Sequence, residues 1–255
     1  MDSQLISFLP LALLAFVCEY VDSSLGMGYG TTLTPLLLIL GFEPLQIVPA
    51  VLVSEFVTGI AAGVMHHELG NTDLRPGGRD FKVAAILAAC SVVGTVVAVV
   101  LAVRLPAIIV KSYIGLLVLS AGIFILLTLR RTFRFSWAKL VGLGTLAAFN
   151  KGISGGGYGP LVTGGQILAG MNGKAAVGIT SLAEGITCLV GVIAYILTSK
   201  GAADWGLAPA MALGALLSVP LAGITVKKMT EGRLRLAVGI AVTALGSWTL
   251  YSIIA

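Results

Sequence analysis

Charge is what this sequence has least of. Only 11% of its 255 residues are Asp, Glu, Lys or Arg, against about 25% in an ordinary soluble domain. A globule of this length could not cover its surface with so few charges. With three cysteines, none in CxxC spacing, a disulfide scaffold is excluded. The low hydrophobicity that marks disorder is missing too, since 57% of the residues are hydrophobic. The 33 glycines do not make a collagen-like repeat. A net charge of +5 could suggest nucleic acid, but the basic residues sit in short clusters between long apolar runs, which is the pattern of membrane topology. No G-x-x-x-x-G-K-[ST] run is present, which argues against primary pumping by this chain alone. Met1 to Leu14 contains no Lys or Arg, so a cleaved signal peptide is not expected.

What the sequence does contain is apolar segments, near 4–22, 30–41, 45–65, 81–103, 107–129, 136–150, 158–170, 174–198, 205–226 and 233–254. A bilayer core needs about 20 apolar residues per helical span. Eight of the segments are long enough, or nearly so; those at 30–41 and 158–170 are half-length. The runs are continuous rather than alternating, so they read as helices. If the two half-length pieces simply extend their neighbours, the basic residues divide almost evenly between the two sides. If each instead forms a hairpin with the preceding segment, 12 of the 16 Lys and Arg fall on one side and 4 on the other. Basic residues belong on the cytoplasmic side, which favours the hairpins and puts both termini outside.

A shift of 129 residues aligns the two halves without a gap across 26–58. Gly26, Gly28, Tyr29, Gly30, Thr34, Gly41, Val48, Glu55 and Thr58 meet Gly155, Gly157, Tyr158, Gly159, Thr163, Gly170, Val177, Glu184 and Thr187. A later stretch, shifted by 124, brings Gly115 onto Gly239 and Gly122 onto Gly246. The expected fold is therefore an all-α polytopic membrane protein of two repeats, 1–130 and 131–255. Each is a hairpin with a half-length helix followed by three transmembrane helices. Three is odd, so the second repeat enters the membrane inverted, a transporter architecture whose site lies near the midplane where helices break.

The breaks read Gly26-Met27-Gly28-Tyr29-Gly30 and Gly155-Gly156-Gly157-Tyr158-Gly159-Pro160. Irregular backbone at membrane depth is tolerated beside a cavity or buried protein. Glycine permits the required backbone, and a helix starting there offers free N–H groups and a positive dipole end to an anion. The alternative is that the glycines only let helices pack closely. Lys151 stands four residues before the second cluster, with Asp22 as its repeat mate. It can pair with Asp22, stand free beside the substrate path, or snorkel from a helix end. Thr31, Ser23, Ser24 and Ser154 add hydroxyls. The candidate substrate-binding set is Gly26, Gly28, Tyr29, Gly30, Thr31, Lys151, Ser154, Gly156, Gly157, Tyr158 and Gly159.

Glu55 and Glu184 lie near the middle of long apolar segments and are repeat mates. Insertion of a charge there costs about 2.5–3.5 kcal/mol. They are the candidate coupling residues, binding a proton or accepting a hydrogen bond from a protonated ligand; the alternative is a pair of neutral carboxyls stapling helices together. His66-His67-Glu68 lacks the i, i+4 spacing of a helical metal site and reads as a solvated loop start. Cys18, Cys90 and Cys188 read as packing residues. Gly152-Ile153-Ser154-Gly155 matches the G-x-S-G of intramembrane serine proteases, but both histidines lie far upstream, and that chemistry needs a base beside the serine.

The two glycine motifs, each opening a short apolar helix, together with the following turns Gly41-Phe42-Glu43-Pro44 and Gly170-Met171-Asn172-Gly173, resemble the TauE/SafE sulfite-exporter family, also called the toluene-sulfonate uptake permease family. Glu55 and Glu184 stand where that pattern leads one to expect small hydroxyl residues. The resemblance implies a secondary transporter of sulfite, a sulfonate or another organosulfur anion in a bacterial inner membrane, without ATP. A channel, or a cation or proton carrier using Glu55 and Glu184, is the other transport reading. The chain is not expected to be an enzyme and needs no cofactor or metal. Its expected partners are the bilayer, a small anion and protons, not nucleic acid, with a homodimer left open as the assembly.

Overall fold

The computed structural model describes residues 2–26, 29–128, 137–168, 171–201, 203–228 and 231–254. Among these the chain forms helices and no strand. The helices are α1 (Asp2–Leu25), α2 (Tyr29–Ile39), α3 (Pro44–Glu68), α4 (Arg79–Arg104), α5 (Ala107–Leu127), α6 (Trp137–Ser154), α7 (Tyr158–Leu168), α8 (Gly173–Thr198), α9 (Ala208–Lys228) and α10 (Glu231–Ile254). Among the described residues, six carry stretches long and apolar enough to cross a bilayer: α1, α3, α4, α5, α8 and α9. That is fewer than the eight read from the sequence. One reason is α6, whose 18 residues include the polar Asn150 and Lys151. The short α2 and α7 have 11 residues each, about 16 Å of helix.

Local chemistry sets the ends. Helix α2 stops at Gly41, whose φ of 93° is one an L side chain adopts only with strain. The chain then turns directly into α3. The Gln46 side chain accepts from the Glu43 N–H at 2.9 Å, and Pro44 occupies the first helical position, where no N–H is needed. At the start of α8 the Asn172 side chain accepts from the Lys174 N–H at 2.9 Å.

Helices α3 and α8 cross at the centre. Each is more than half buried, against 29% for α5 at the periphery. Gly59 and Gly185 meet at the crossing, where a Cβ on Gly59 would lie 2.8 Å from the Gly185 Cα. Around this pair α1 packs on α9 and α6 on α4, while α9 also packs on α3 and α4 on α8; α5 packs on α10. The outer faces carry exposed apolar side chains such as Val93, Leu197, Leu213 and Leu217, the surface that a lipid environment requires.

The α1–α2 and α6–α7 breaks cross each other in main-chain contact. A Cβ on Gly30 would collide with the Gly155 carbonyl, and one on Gly156 would lie 2.7 Å from the Gly30 carbonyl carbon. By contrast, a Cβ on Gly142, on the exposed side of α6, meets nothing within 4 Å. Gly30→Ala is therefore expected to cost about 3 kcal/mol or more through overpacking against backbone. Gly142→Ala should be neutral or stabilising by up to about 1 kcal/mol. Thermal unfolding of the two purified variants in one detergent checks the contrast; equal midpoints would contradict the crossing.

Candidate functional site

The last turns of α6 carry the site's cation. Lys151 is fully buried, 0% exposed, so it does not snorkel. Its Nζ contacts Glu55 Oε2 of α3 and donates to Glu184 Oε1 of α8 at 2.7 Å. Glu55 and Glu184 are 2% and 5% exposed. The α3–α8 crossing makes this possible: Gly59 and Gly185, one residue to one turn along from the glutamates, bring the two helices close enough for both carboxylates to reach one ammonium. A buried ion of this kind needs a partner, because its desolvation costs several kcal/mol. Lys151 has two. Cys188 Sγ adds a weak donor to Glu55 Oε2 at 3.9 Å, while Glu55 Oε1 has no hydrogen-bond partner among the described residues.

The α1 side of the same carboxyl pair is acidic. A narrow polar cleft there is bordered by Glu19, Asp22, Glu55, Thr58, Gly59, Ser181 and Glu184. Glu19, 1% exposed, accepts from the Ser23 hydroxyl at 2.6 Å and from the Thr58 hydroxyl at 3.1 Å. Sequence reading missed Glu19. Its signal was available, as a carboxyl within the apolar run 4–22, but its repeat mate is Ala148, so the duplication did not highlight it.

One helical turn beyond Lys151 the second break begins. Gly155 and Gly157 have φ of 73° and 77°, and Gly26, at the first break, 65°. The breaks are knitted together by hydroxyls. The Gly157 N–H donates to Thr31 Oγ1 at 2.9 Å across the crossing, and the Gly156 N–H donates to Ser154 Oγ at 3.1 Å. Thr163 donates to the Gly26 carbonyl at 2.7 Å, and its repeat mate Thr34 lies beside Gly155, 3.2 Å from where a Cβ would stand. Two amides that the sequence assigns to an anion are thus held by hydroxyl oxygens. Gly28 lies outside the described residues. Gly30 and Gly159 are buried at the starts of α2 and α7.

Both motif tyrosines are fully buried. Tyr29 packs among Leu33, Leu37, Val51 and Met211, and its hydroxyl lies 2.7 Å from Ser54 Oγ. Tyr158 packs among Leu87, Ala147 and Ile179. Beside Gly157 lies a cavity of about 380 Å³, walled mainly by apolar side chains of α5, α6 and α7, with Asn150 and Ser120 as its polar members. Asn150 Oδ1 accepts from Tyr113.

One expectation needs correcting. His66 is not a solvated loop residue: it lies inside α3, 1% exposed. Asn71 Nδ2 donates to its Nδ1 at 3.1 Å, which leaves Nε2 to donate to the Ser23 carbonyl at 2.9 Å. The helix continues three residues past Met65, to Glu68, and this histidine has polar partners inside the protein. His67 Nδ1 accepts from the Leu74 N–H at 3.3 Å. Neither ring is hydrogen-bonded to Ser154, whose hydroxyl lies 2.6 Å from the Asn150 carbonyl. Among the described residues no three His, Cys, Asp or Glu side chains gather as a metal site.

Helices long and apolar enough to cross a bilayer, together with two short helices that follow breaks, describe a multi-pass membrane protein. Comparison with known proteins identifies which: the model of the sulfite exporter TauE/SafE family matches residues 11–249, and the chain belongs to that family. It is also similar to "Probable membrane transporter protein YtnM" of Bacillus subtilis (strain 168), with 28% identity over 94% of this chain and 81% of the relative. No solved structure matches. The family's members are membrane transporters rather than enzymes, and so is this chain.

Lys151→Met leaves Glu55 and Glu184 facing each other without a cation, and is expected to cost about 3–5 kcal/mol. Adding Glu184→Gln should recover part of that loss, because one uncompensated carboxylate goes with it. Unfolding midpoints of the single and double variants test the pair; a Lys151→Met variant as stable as the parent would show that no ion pair is there to lose.

Proposed function

We propose that the chain is a secondary transporter of a small anion, sulfite or an organosulfur anion such as a sulfonate, working by alternating access between residues 1–130 and 131–255 as inverted repeats. The membrane is a bacterial inner membrane, with both termini outside and the basic loops in the cytoplasm. The pairing pattern supports two like repeats related by a two-fold: exchanging each helix for its counterpart five further along turns α1–α9 into α6–α4 and α3–α9 into α8–α4, and leaves α3–α8 and α5–α10 unchanged; inversion rests on the odd number of spans expected in each repeat. The Gly26–Thr163 and Gly155–Thr34 contacts exchange in the same way.

The observation that carries the reading is the ammonium of Lys151, gripped by two carboxylates one turn before a helix break. An anion entering the bundle needs charge compensation. When Glu55 or Glu184 takes a proton, the grip on Lys151 loosens and its charge can turn to the anion. Proton and anion then bind together, which is symport. Unwinding at Gly155–Gly157 lets Thr31 and Ser154 hand their N–H partners to the substrate, with Gly26, Gly28, Gly30 and Gly159 allowing close approach and Tyr29 and Tyr158 holding the half-helices in place. The largely apolar cavity beside Gly157 suits the hydrocarbon part of an organosulfur anion. A cation or proton carrier using Glu55 and Glu184 is the second reading, favoured by the surplus of carboxyls over lysine in the centre.

Reconstituted into vesicles, the full chain is expected to take up sulfite or a short sulfonate saturably, faster with an inward proton gradient. Lys151→Ala should lower uptake by roughly tenfold or more, about 1.4 kcal/mol per factor of ten. Glu55→Gln and Glu184→Gln should flatten its pH dependence. Unchanged coupling in both glutamine variants overturns the coupling role, and saturable cation flux without anion flux favours the second reading.

A further inference from the structure

One buried hydroxyl beside the breaks has nothing to hold. Thr34, on α2, is 0% exposed, and its Oγ1 has no hydrogen-bond partner among the described residues. A buried polar group left unpaired is costly, and in a folded protein it calls for an explanation. Its repeat mate Thr163, on α7, is equally buried but fully engaged. The Thr163 hydroxyl donates to the Gly26 carbonyl at 2.7 Å and lies 2.8 Å from Thr180 Oγ1, which also accepts from Gln166 Nε2.

The two threonines occupy the same place against opposite breaks. A Cβ on Gly26 would collide with Thr163 Oγ1, and one on Gly155, the repeat mate of Gly26, would stand 3.2 Å from Thr34 Oγ1. The first contact is closed and the second is open. Thr180 and Gln166 have Val51 and Leu37 as their repeat mates, and Val51 also borders Gly155. Thr34 thus lacks the polar side chains that accompany Thr163, and what lies beside it is main chain. The Gly155 carbonyl is meanwhile turned against Gly30.

Resting on the alternating-access reading above and deepening it, we infer that Thr34 and Thr163 are positioning residues that hold the two breaks in turn. In the state described, Thr163 clasps the Gly26 carbonyl and Thr34 is idle. In the opposite-facing state Thr34 donates to the Gly155 carbonyl, and Thr163 turns its hydroxyl to Thr180. A rotation of the peptide between Gly155 and Gly156, which two glycines permit, presents that carbonyl to Thr34. One hydrogen bond replaces another, so the switch loses none and the two states stay close in free energy. Gly30 lies against the Gly155 carbonyl and Thr31 holds the Gly157 N–H, so a shift of the second break toward Thr34 moves the first with it.

Hydrogen–deuterium exchange of the full chain in lipid vesicles tests the pair. Thr163→Val should speed exchange of the amides around Gly26 by about fivefold, the population change that one ordinary hydrogen bond is worth, and slow exchange around Gly155. Thr34→Val should do the reverse, slowing exchange around Gly26, on the break that its side chain does not touch. Thr34→Ser and Thr163→Ser keep the hydroxyl and should resemble the parent. Exchange around Gly26 that is unchanged or faster in Thr34→Val overturns the proposal. Because Thr34→Val removes no bond from the described state, its thermal midpoint should match or exceed the parent's; a midpoint lowered as far as in Thr163→Val overturns the proposal as well. Should Thr163→Val misassemble, Thr34→Val alone decides. In the same vesicles sulfite turnover should fall severalfold in Thr34→Val and recover in Thr34→Ser, and an unchanged rate counts against the pair. If the parent carries no sulfite, the transport reading fails while the exchange pattern still judges the two threonines.

Discussion

The arrangement of this protein depends on an ammonium group buried away from solvent. Lys151 sits where only carboxylates can hold it, and the requirement that two of them reach one nitrogen governs much of what surrounds it. Glu55 and Glu184 come from different helices. They can converge only if α3 and α8 approach closely, which Gly59 and Gly185 allow at the crossing. The same lysine lies on the final turn of α6, immediately before backbone that leaves the helical form. A charge tethered to the end of a helix that stops is easier to reorient than one in the middle of a continuous helix. The electrostatic centre and the structural weak point are thus one place.

The breaks impose a second constraint. They are not two separate tips facing an open chamber. Gly30 lies against the Gly155 carbonyl, and the Gly157 N–H is satisfied from the other break by Thr31. Backbone packed on backbone has no side chain to absorb a displacement, so moving one break moves the other. Hydroxyl groups are a fitting choice for the caps. Thr31, Ser154 and Thr163 satisfy main-chain groups that would otherwise be costly at this depth, and a hydroxyl can exchange partners with little rearrangement.

Much of this was legible in the sequence, for identifiable reasons. Helices follow from continuous apolar runs, and the shortness of α2 and α7 from the glycine clusters and turns that bound them. Glu55, Glu184 and Lys151 stood out because a charge in an apolar segment is expensive and so has a purpose. Their partnership was not legible. The repeat alignment paired Lys151 with Asp22 as equivalent positions, which is a statement about ancestry and symmetry rather than contact. Contact depends on which helices cross, and no local pattern encodes the α3–α8 crossing. His66 was misread because two adjacent histidines and a glutamate look like solvent-facing sequence, while the partners that bury the first, Ser23 and Asn71, come from α1 and from the loop beyond. The capping of the Gly156 and Gly157 amides by Ser154 and Thr31 was hidden for the same reason: one cap is local and the other crosses between breaks.

The sequence duplication also explains why the centre is polarised. Were both copies alike at the positions of Asp22 and Lys151, the glutamate pair would meet two lysines or two aspartates, and the field across it would cancel by symmetry. Divergence to lysine in one copy and aspartate in the other, with Glu19 opposite Ala148, places an ammonium on the α6 side and carboxyl groups on the α1 side of a shared carboxyl pair. In the transport reading proposed above, the face that carries Lys151 is the one that suits an anion. Coulomb attraction is strong at short range in a medium of low dielectric constant, so on that reading a proton on either glutamate would ease the entry of an anion without a separate relay. A fully symmetric dimer of identical halves could not provide that division. A duplicated and diverged chain can, and the change at a single pair of equivalent positions creates most of it.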